Sequence, residues 1–433
     1  MKPEALEKNR WLVVVGALLI QLSLGAIYAW SVFTKPLAAA GWSKTETQMV
    51  FAAGLALFAI VMVIAGRIMP KFGPRKVAIT GGIVLGLGYM LAGLLGGTNF
   101  WALFFFIGVV GGSGIGLAYV VPIAVGMRWY PDKKGLITGL AVAGFGFGAM
   151  LWVKLAGAWG HMIENMGLGT TFIIYGIIFL IAVVLGGMFM IFPREGWQPE
   201  GWTPPQASAG SAPAAGTVDF LTGQMLRTPQ FYMIFLTFLF GAGAGLMSIG
   251  LMKLFPSQAL EANGLSATQA SAIAGTAMAV FFSLANGLGR IAWGAMSDKL
   301  GRKLSVIIMT GSQGLFVLAF PMMAGNEYML YLGATLIGFN FGGNFALFPT
   351  ITADTFGTKY VGQNYGWVFL AYGVGGILGP IMGGKLGDMN NFPLAFTIAG
   401  VLCLVAAGII AMVKPPKQSA SIAEVNPQNK TAA

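Results

Sequence analysis

Long apolar stretches separated by short polar ones run the length of the chain. They lie at roughly 11–34, 47–69, 77–97, 101–127, 135–157 and 171–192, and again at 231–255, 268–296, 305–325, 327–352, 363–384 and 393–413. Each approaches or exceeds the ~20 apolar residues that a helix needs to cross a bilayer. The pattern predicts six membrane-spanning helices, a break, and six more. The break, 194–229, contains PREGWQPEGWTPPQASAGSAPAAGTVD, which is rich in Pro, Ala, Gly and Ser and lacks any apolar period, as an exposed linker does. The predicted organisation is an all-α membrane protein with an N-terminal six-helix bundle over 1–193, a cytoplasmic linker over 194–229, a C-terminal six-helix bundle over 230–414 and a tail over 415–433.

Composition agrees. Of 433 residues 56% are apolar and 9% charged, against about a quarter charged in a soluble domain, which excludes an ordinary water-soluble protein. One cysteine, Cys403, and one histidine, His161, leave no material for a disulfide framework, a CxxC redox pair or a His/Cys metal site; no cofactor or metal is expected. With the amino terminus placed inside, nineteen Lys and Arg fall in the tails, the linker and the inner loops. Four, Lys35, Lys44, Lys253 and Lys385, fall on the other side, and Lys154 and Arg290 lie within spans. Basic loops stay cytoplasmic, so both termini are expected there, in the cell (inner) membrane. The net charge of +11 thus reports topology and attraction to anionic lipid, and no nucleic-acid partner is expected. The first run is too long for a signal peptide and lacks a clean cleavage site, so it reads as an uncleaved first helix.

One loop occurs twice. Gly66, Arg67, Gly73, Pro74, Arg75 and Lys76 follow the second span; Gly294, Ser297, Asp298, Lys299, Gly301, Arg302 and Lys303 follow the eighth, 228 residues later. The carboxylate-plus-basic pattern suits a latch between cytoplasmic helix ends, with Asp298, Arg302, Lys303, Arg75 and Lys76 as its candidates. The second copy is complete, whereas the first has Pro70 where the acid belongs. This duplicated loop, with twelve spans and a central linker, resembles the major facilitator superfamily over nearly the whole chain. The resemblance implies two pseudo-symmetric halves with alternating access about a midplane site, and in the family the loop helps hold the outward-open state. Three further segments narrow it: Arg128–Gly139 (RWYPDKKGLITG), Met225–Phe231 (MLRTPQF), and Asp354–Thr358 followed by Gln363–Gly366 (DTFGT and QNYG). They resemble the oxalate/formate antiporter family, a neighbour of the proton-linked monocarboxylate transporters. Gly25–Trp30 (GAIYAW) sits closer to the bacterial oxalate/formate branch than to the animal signature.

The residues themselves point to an anion. None of the fourteen carboxylates falls at the centre of a span; instead a cation does. Arg290 lies six residues, about 9 Å, from the predicted inner end of its span. A buried guanidinium costs at least about 2.5–3.5 kcal/mol on insertion scales and stays charged, so it should meet an anion, and its two parallel N–H donors suit a carboxylate. Asn286, one turn earlier, shares its helix face. The competing reading is an arginine that snorkels to the headgroups or pairs with Asp298. In the tenth span Phe341 and Phe345 stand one turn apart with glycines between them. By resemblance they, Tyr119, Tyr28 and Phe145 match aromatic cavity positions, although aromatics at helical spacing equally serve packing. Where oxalate-exchanging members carry a second cavity lysine, this chain has Tyr372. One fixed cation matches one negative charge, so the expected substrate is a monocarboxylate such as lactate or pyruvate ahead of oxalate. Lys154 and Lys253 are expected to snorkel outward.

The expected function is secondary active transport of small monocarboxylates, with proton-coupled symport favoured over oxalate/formate-type anion exchange, and a transporter-like sensor as a further alternative. No proton-carrying group is evident: the acid of the animal relatives is Asn286 here, and His161 reads as a surface residue. The expected partners are a small carboxylate anion, protons and lipid, with the chain as a monomer. The lack of a nucleophile–base set, paired carboxylates at depth or a metal cluster argues against an enzyme.

Overall fold

The computed structural model describes residues 9–202 and 219–414 apart from 96 and 158, together with 7 and 416. The middle of the linker and nearly all of the expected tail fall outside the described residues, as do the side chains of Lys35 and Lys44. The described chain is built of helices. Twelve long ones, numbered in chain order, are α1 Trp11–Leu24, α2 Lys44–Phe72, α3 Pro74–Leu94, α4 Gly112–Trp129, α5 Lys134–Ala156, α6 Met162–Gly187, α7 Pro229–Leu251, α8 Ser283–Leu300, α9 Arg302–Met323, α10 Glu327–Phe356, α11 Val361–Asp388 and α12 Phe392–Ala411. Three spans are composite. A 3₁₀ segment, Gly25–Trp30, and a short helix, Ser31–Ala39, prolong α1; π-helical segments Phe104–Gly111 and Ala277–Phe282 lead into α4 and α8.

Polar start signals lengthen several helices beyond their apolar runs. Ser43 and Glu46 form a capping box that begins α2, Asn326 caps α10, and Thr228 caps α7 with Pro229 in its first turn, each satisfying N–H groups that the helix leaves unpaired. At the inner end α8 runs to Leu300, past the expected end at 296, so Arg290 lies about 15 Å from it. The duplicated loop is duplicated in conformation as well: Gly73 (φ 82°, ψ 151°) and Gly301 (φ 85°, ψ 150°) make the same left-handed break between consecutive helices, a conformation that favours glycine.

Among the described residues eleven helical spans are long and apolar enough to cross a membrane. The twelfth long helix, α10, has 30 residues and length to spare, but Asn340, Asn344 and its glycines dilute its apolarity. It is buried from Phe341 to Ala353, so protein rather than lipid surrounds it there. Small residues set the helix contacts, as expected where lipid removes the hydrophobic drive to associate. Gly86 and Gly93 of α3 meet Gly176 and Gly169 of α6; Gly314 of α9 meets Gly400 of α12.

The described residues nearest the two termini lie at one end of the bundle. Arg10 pairs there with Asp132, and Lys303 and Gln230 hold the carbonyls of Val413 and Lys414. This is also the end of the Gly73, Gly301 and Gly357 breaks, and it is called the basic end below.

Candidate functional site

Arg290 is fully buried. Its Nε donates to Asn286 Oδ1 at 2.9 Å, and Nη1 donates to the carbonyl oxygen of Val142 in α5, also at 2.9 Å. The guanidinium carbon stands 4.1 Å from the centre of the Phe345 ring and 5.8 Å from that of Phe145, within cation–π range. Nη2 is buried without a partner. The snorkelling reading is thereby excluded, and so is a pair with Asp298, whose carboxylate is held elsewhere. Asn286 orients the guanidinium through its oxygen, which leaves its amide Nδ2 as the group able to donate to a ligand.

Glycines bring the backbones of this region together. A Cβ on Gly342 would stand 2.1 Å from the Asn286 carbonyl oxygen, and one on Gly25 would stand 2.1 Å from that of Phe145. The first closes α10 on α8 beside Arg290. The second lets the 3₁₀ segment of the first span pass against α5, and a 3₁₀ stretch inside a helix often marks a functional hinge.

Aromatic side chains from both halves surround the guanidinium. Phe145 contacts Tyr28 at 5.0 Å, Tyr119 at 5.5 Å and Phe58 at 6.1 Å between ring centres. From the other half, Phe345 contacts Tyr372 at 5.4 Å, and Phe369 contacts Tyr372 at 5.0 Å, Tyr119 at 5.4 Å and Phe58 at 5.1 Å. The hydroxyls of Tyr28 and Tyr372 hydrogen-bond across the halves. Tyr28 is half-buried, whereas Tyr119, Phe145, Phe345, Phe369 and Tyr372 are buried. Phe341 stands behind Phe345 at 5.3 Å, wedged into the notch that Gly245 leaves in α7. It therefore backs the wall instead of forming it.

Closure at the basic end is covalently simple and geometrically tight. A Cβ on Gly135 would stand 2.2 Å from the Gly294 carbonyl oxygen, one on Gly139 2.3 Å from that of Arg290, and one on Gly66 2.3 Å from that of Gly362. Two seams result, α5 on α8 and α2 on α11. Asp298 accepts from the backbone N–H groups of Gly135 and Leu136 at 2.9 and 2.8 Å, so a carboxylate of one half caps the first turn of a helix in the other, where the helix dipole favours negative charge. Arg302 bridges Asp298 and Asp354, and Lys134 reaches Asp354 across the halves at 3.0 Å. The described hydrogen bonds and ion pairs between the two sets of six helices lie at the level of Arg290 or nearer the basic end. Outside the seams a cavity of about 1010 Å³ opens at this end, lined by Gly362, Gln363, Arg128, Asp298 and Trp197 among others.

Of the five latch candidates, Asp298 and Arg302 join this network and three do not. Lys303 holds the Val413 carbonyl; the described Arg75 bond runs to the Met188 carbonyl inside its own half; Lys76 is exposed. With Pro70 in place of the acid, the first copy of the loop has no carboxylate to offer across the halves. The partners that sequence reasoning missed, Lys134 and Asp354, stand within segments already marked by their motifs. Phe58, Phe369 and Tyr365 were missed too, as was the Val142 carbonyl, which has no side-chain signature. Lys154 is half-buried and Lys253 exposed. Lys154 stands twelve residues, about 18 Å, along α5 from Val142, too far to add a second charge beside Arg290.

The major facilitator superfamily model matches residues 11–282 and 254–432. The chain is 29% identical over 381 residues to an uncharacterised transporter of this type, YhjX of Escherichia coli K12, covering 87% of this chain and 88% of that one. It is 27% identical over 414 residues to the oxalate:formate antiporter of Oxalobacter formigenes, covering 94% and 92%. Its fold is similar to that of the fucose:proton symporter of Escherichia coli, with a TM-score of 0.66, 14% identity, and coverage of 95% and 99%. A carrier fold, a duplicated loop and a buried guanidinium between two halves are thus joined by a match along almost the whole sequence: the chain belongs to the major facilitator superfamily, as a multi-pass secondary transporter of the oxalate/formate antiporter and monocarboxylate transporter-like branch.

Proposed function

We propose that the protein carries small monocarboxylates of the lactate and pyruvate type, together with a proton. The observation that supports this reading is the single guanidinium, Arg290, with Nη2 free inside an aromatic box that holds no second cation and no acid among its described residues. Arg290 receives the carboxylate, Asn286 orients it and donates through Nδ2, and Tyr119, Phe145, Phe345, Tyr28 and Tyr372 enclose the apolar remainder. A dianion in the same low-dielectric box would keep one charge unmatched. The basic end is the cytoplasmic side by the distribution of Lys and Arg. The bundles of 1–193 and 230–414 rock about the site, and the latch of Asp298, Arg302, Asp354 and Lys134 holds the cytoplasm-closed state.

Symport requires the empty carrier to reorient. Asn286, the Val142 carbonyl and the Phe345 face partner the guanidinium from within the protein, which lowers the cost of reorienting it without an anion. The name of the Oxalobacter relative favours the second reading, exchange of one carboxylate for another. Purified protein in liposomes separates the two. An inwardly directed proton gradient alone should drive accumulation of labelled L-lactate; accumulation only against a preloaded carboxylate would replace symport with exchange. Tyr372→Lys should raise the ratio of oxalate to lactate uptake about tenfold, as one charge-assisted hydrogen bond allows. An unchanged ratio would remove the charge-matching account.

A further inference from the structure

Among the buried polar atoms without a partner, two hydroxyls besides the Arg290 Nη2 belong to tyrosines of the aromatic cluster: Tyr119 Oη and Tyr365 Oη. Both side chains are at most 1% exposed. An unsatisfied buried hydroxyl is destabilising, a cost that phenylalanine of the same shape would avoid. Their placement is ordered. Tyr365 lies seven residues before Tyr372 on α11, two turns or about 10 Å nearer the basic end. Phe369 stands between them, its ring 5.7 Å from Tyr365, 5.4 Å from Tyr119 and 5.0 Å from Tyr372. Arg290 stands ten residues, about 15 Å, from the basic end of α8 and Tyr119 ten residues from that of α4, whereas Tyr365 stands only four residues, about 6 Å, from that of α11. Tyr119 is thus level with Arg290, and Tyr365 lies beyond both toward the basic end. Gly362 and Gln363, less than one turn beyond Tyr365, already line the basic-end cavity.

We propose that Tyr119 and Tyr365 form a second, inner station for the substrate carboxylate, between Arg290 and the basic end; this rests on the carboxylate reading above. A hydroxyl donates to a carboxylate oxygen without adding a fixed charge. It thus lowers the cost of leaving Arg290 while holding the anion too weakly to trap it, whereas a second cation at this depth would bind a carboxylate strongly. Tyr119, in reach of both, takes the carboxylate from the guanidinium, and Tyr365 passes it on when the seams open.

The test uses the full chain, with L-lactate as probe. Tyr365→Phe should keep the equilibrium Kd for lactate within about twofold of the unsubstituted protein while maximal turnover in liposomes falls about tenfold, the size of one lost hydrogen bond to a charged group. Tyr119→Phe should weaken both. Turnover of Tyr365→Phe equal to that of the unsubstituted protein overturns the inner station. So does a loss of Kd as large as the loss of turnover, which would place Tyr365 in the Arg290 site itself. Failure of Tyr365→Phe to yield monodisperse protein also overturns it, since a hydroxyl with no protein partner should not be needed for folding. If the unsubstituted protein neither binds nor carries lactate, pyruvate, formate or oxalate, the carboxylate reading fails first and separately.

Discussion

Arg290→Ala is expected to lower uptake of labelled lactate or pyruvate at least about 100-fold while leaving the protein folded. Removing one partner of a buried ion pair costs about 3–5 kcal/mol, and here the other partner is the substrate, so the loss falls on binding. Thermal stability without substrate should stay level or rise, because the variant also removes a buried cation whose carbonyl and π contacts only partly replace water. Arg290→Lys should be nearly as inactive. An ammonium cannot hold Asn286 and Val142 with one side of a planar fork while offering the other. Transport by Arg290→Ala at the level of the unsubstituted protein would sink the site assignment, and loss of transport with loss of monodisperse protein would show a structural role instead. Uptake and thermal unfolding measured on the same preparations decide among these outcomes.

Gly139→Val should impair transport by a different route. The Cβ alone would stand 2.3 Å from the Arg290 carbonyl oxygen, and the valine methyls closer still, at backbone that cannot yield without separating α5 from α8. Overpacking of this kind costs about 1–3 kcal/mol, and each 1.4 kcal/mol changes the ratio of two states tenfold. Each half keeps its own contacts, so the protein should fold but rest with the basic end open, and turnover should drop at least about tenfold. Ala124, buried and lining the basic-end cavity, reports the state. In a Cys403→Ala background, Ala124→Cys should react with an impermeant maleimide from the basic side several-fold faster when Gly139→Val is present. Equal labelling rates would mean that the seam does not govern closure.

Much of the fold is legible because lipid makes simple demands. A span must be long and apolar whatever surrounds it, and the twelve runs place the twelve spans, with the 3₁₀ and π segments counted into theirs, to within about five residues except where α6 begins at Met162. The same uniformity hides the site. A soluble helix separates its buried face from its wet one by hydropathy, but Phe58, which meets Tyr119, and Ile60, which is exposed, are both apolar residues of α2. Charge escapes this ambiguity, since a guanidinium in hydrocarbon must face inward, and so Arg290 stood out while Phe58, Phe369 and Tyr365 did not. The latch shows a middle case. The repeated loop named Asp298 and Arg302, but it could not reveal that the receiving partners are two backbone N–H groups of α5 and an aspartate of α10, because those depend on which helix ends meet.

The dilute apolarity of α10 bears on how the chain is made. In the finished protein Asn340 bonds Trp293 and Ser312, and Asn344 turns back to the carbonyls of its own helix, so their polar groups are not left to lipid. During synthesis the same segment must leave the insertion machinery before α11 and α12 exist, and hydropathy is what that machinery weighs. A helix buried along its middle is therefore the long helix least able to enter the bilayer unaided. The partners that satisfy Asn340, Trp293 of α8 and Ser312 of α9, both precede it in the chain, so its polar groups can be met as soon as it enters beside them.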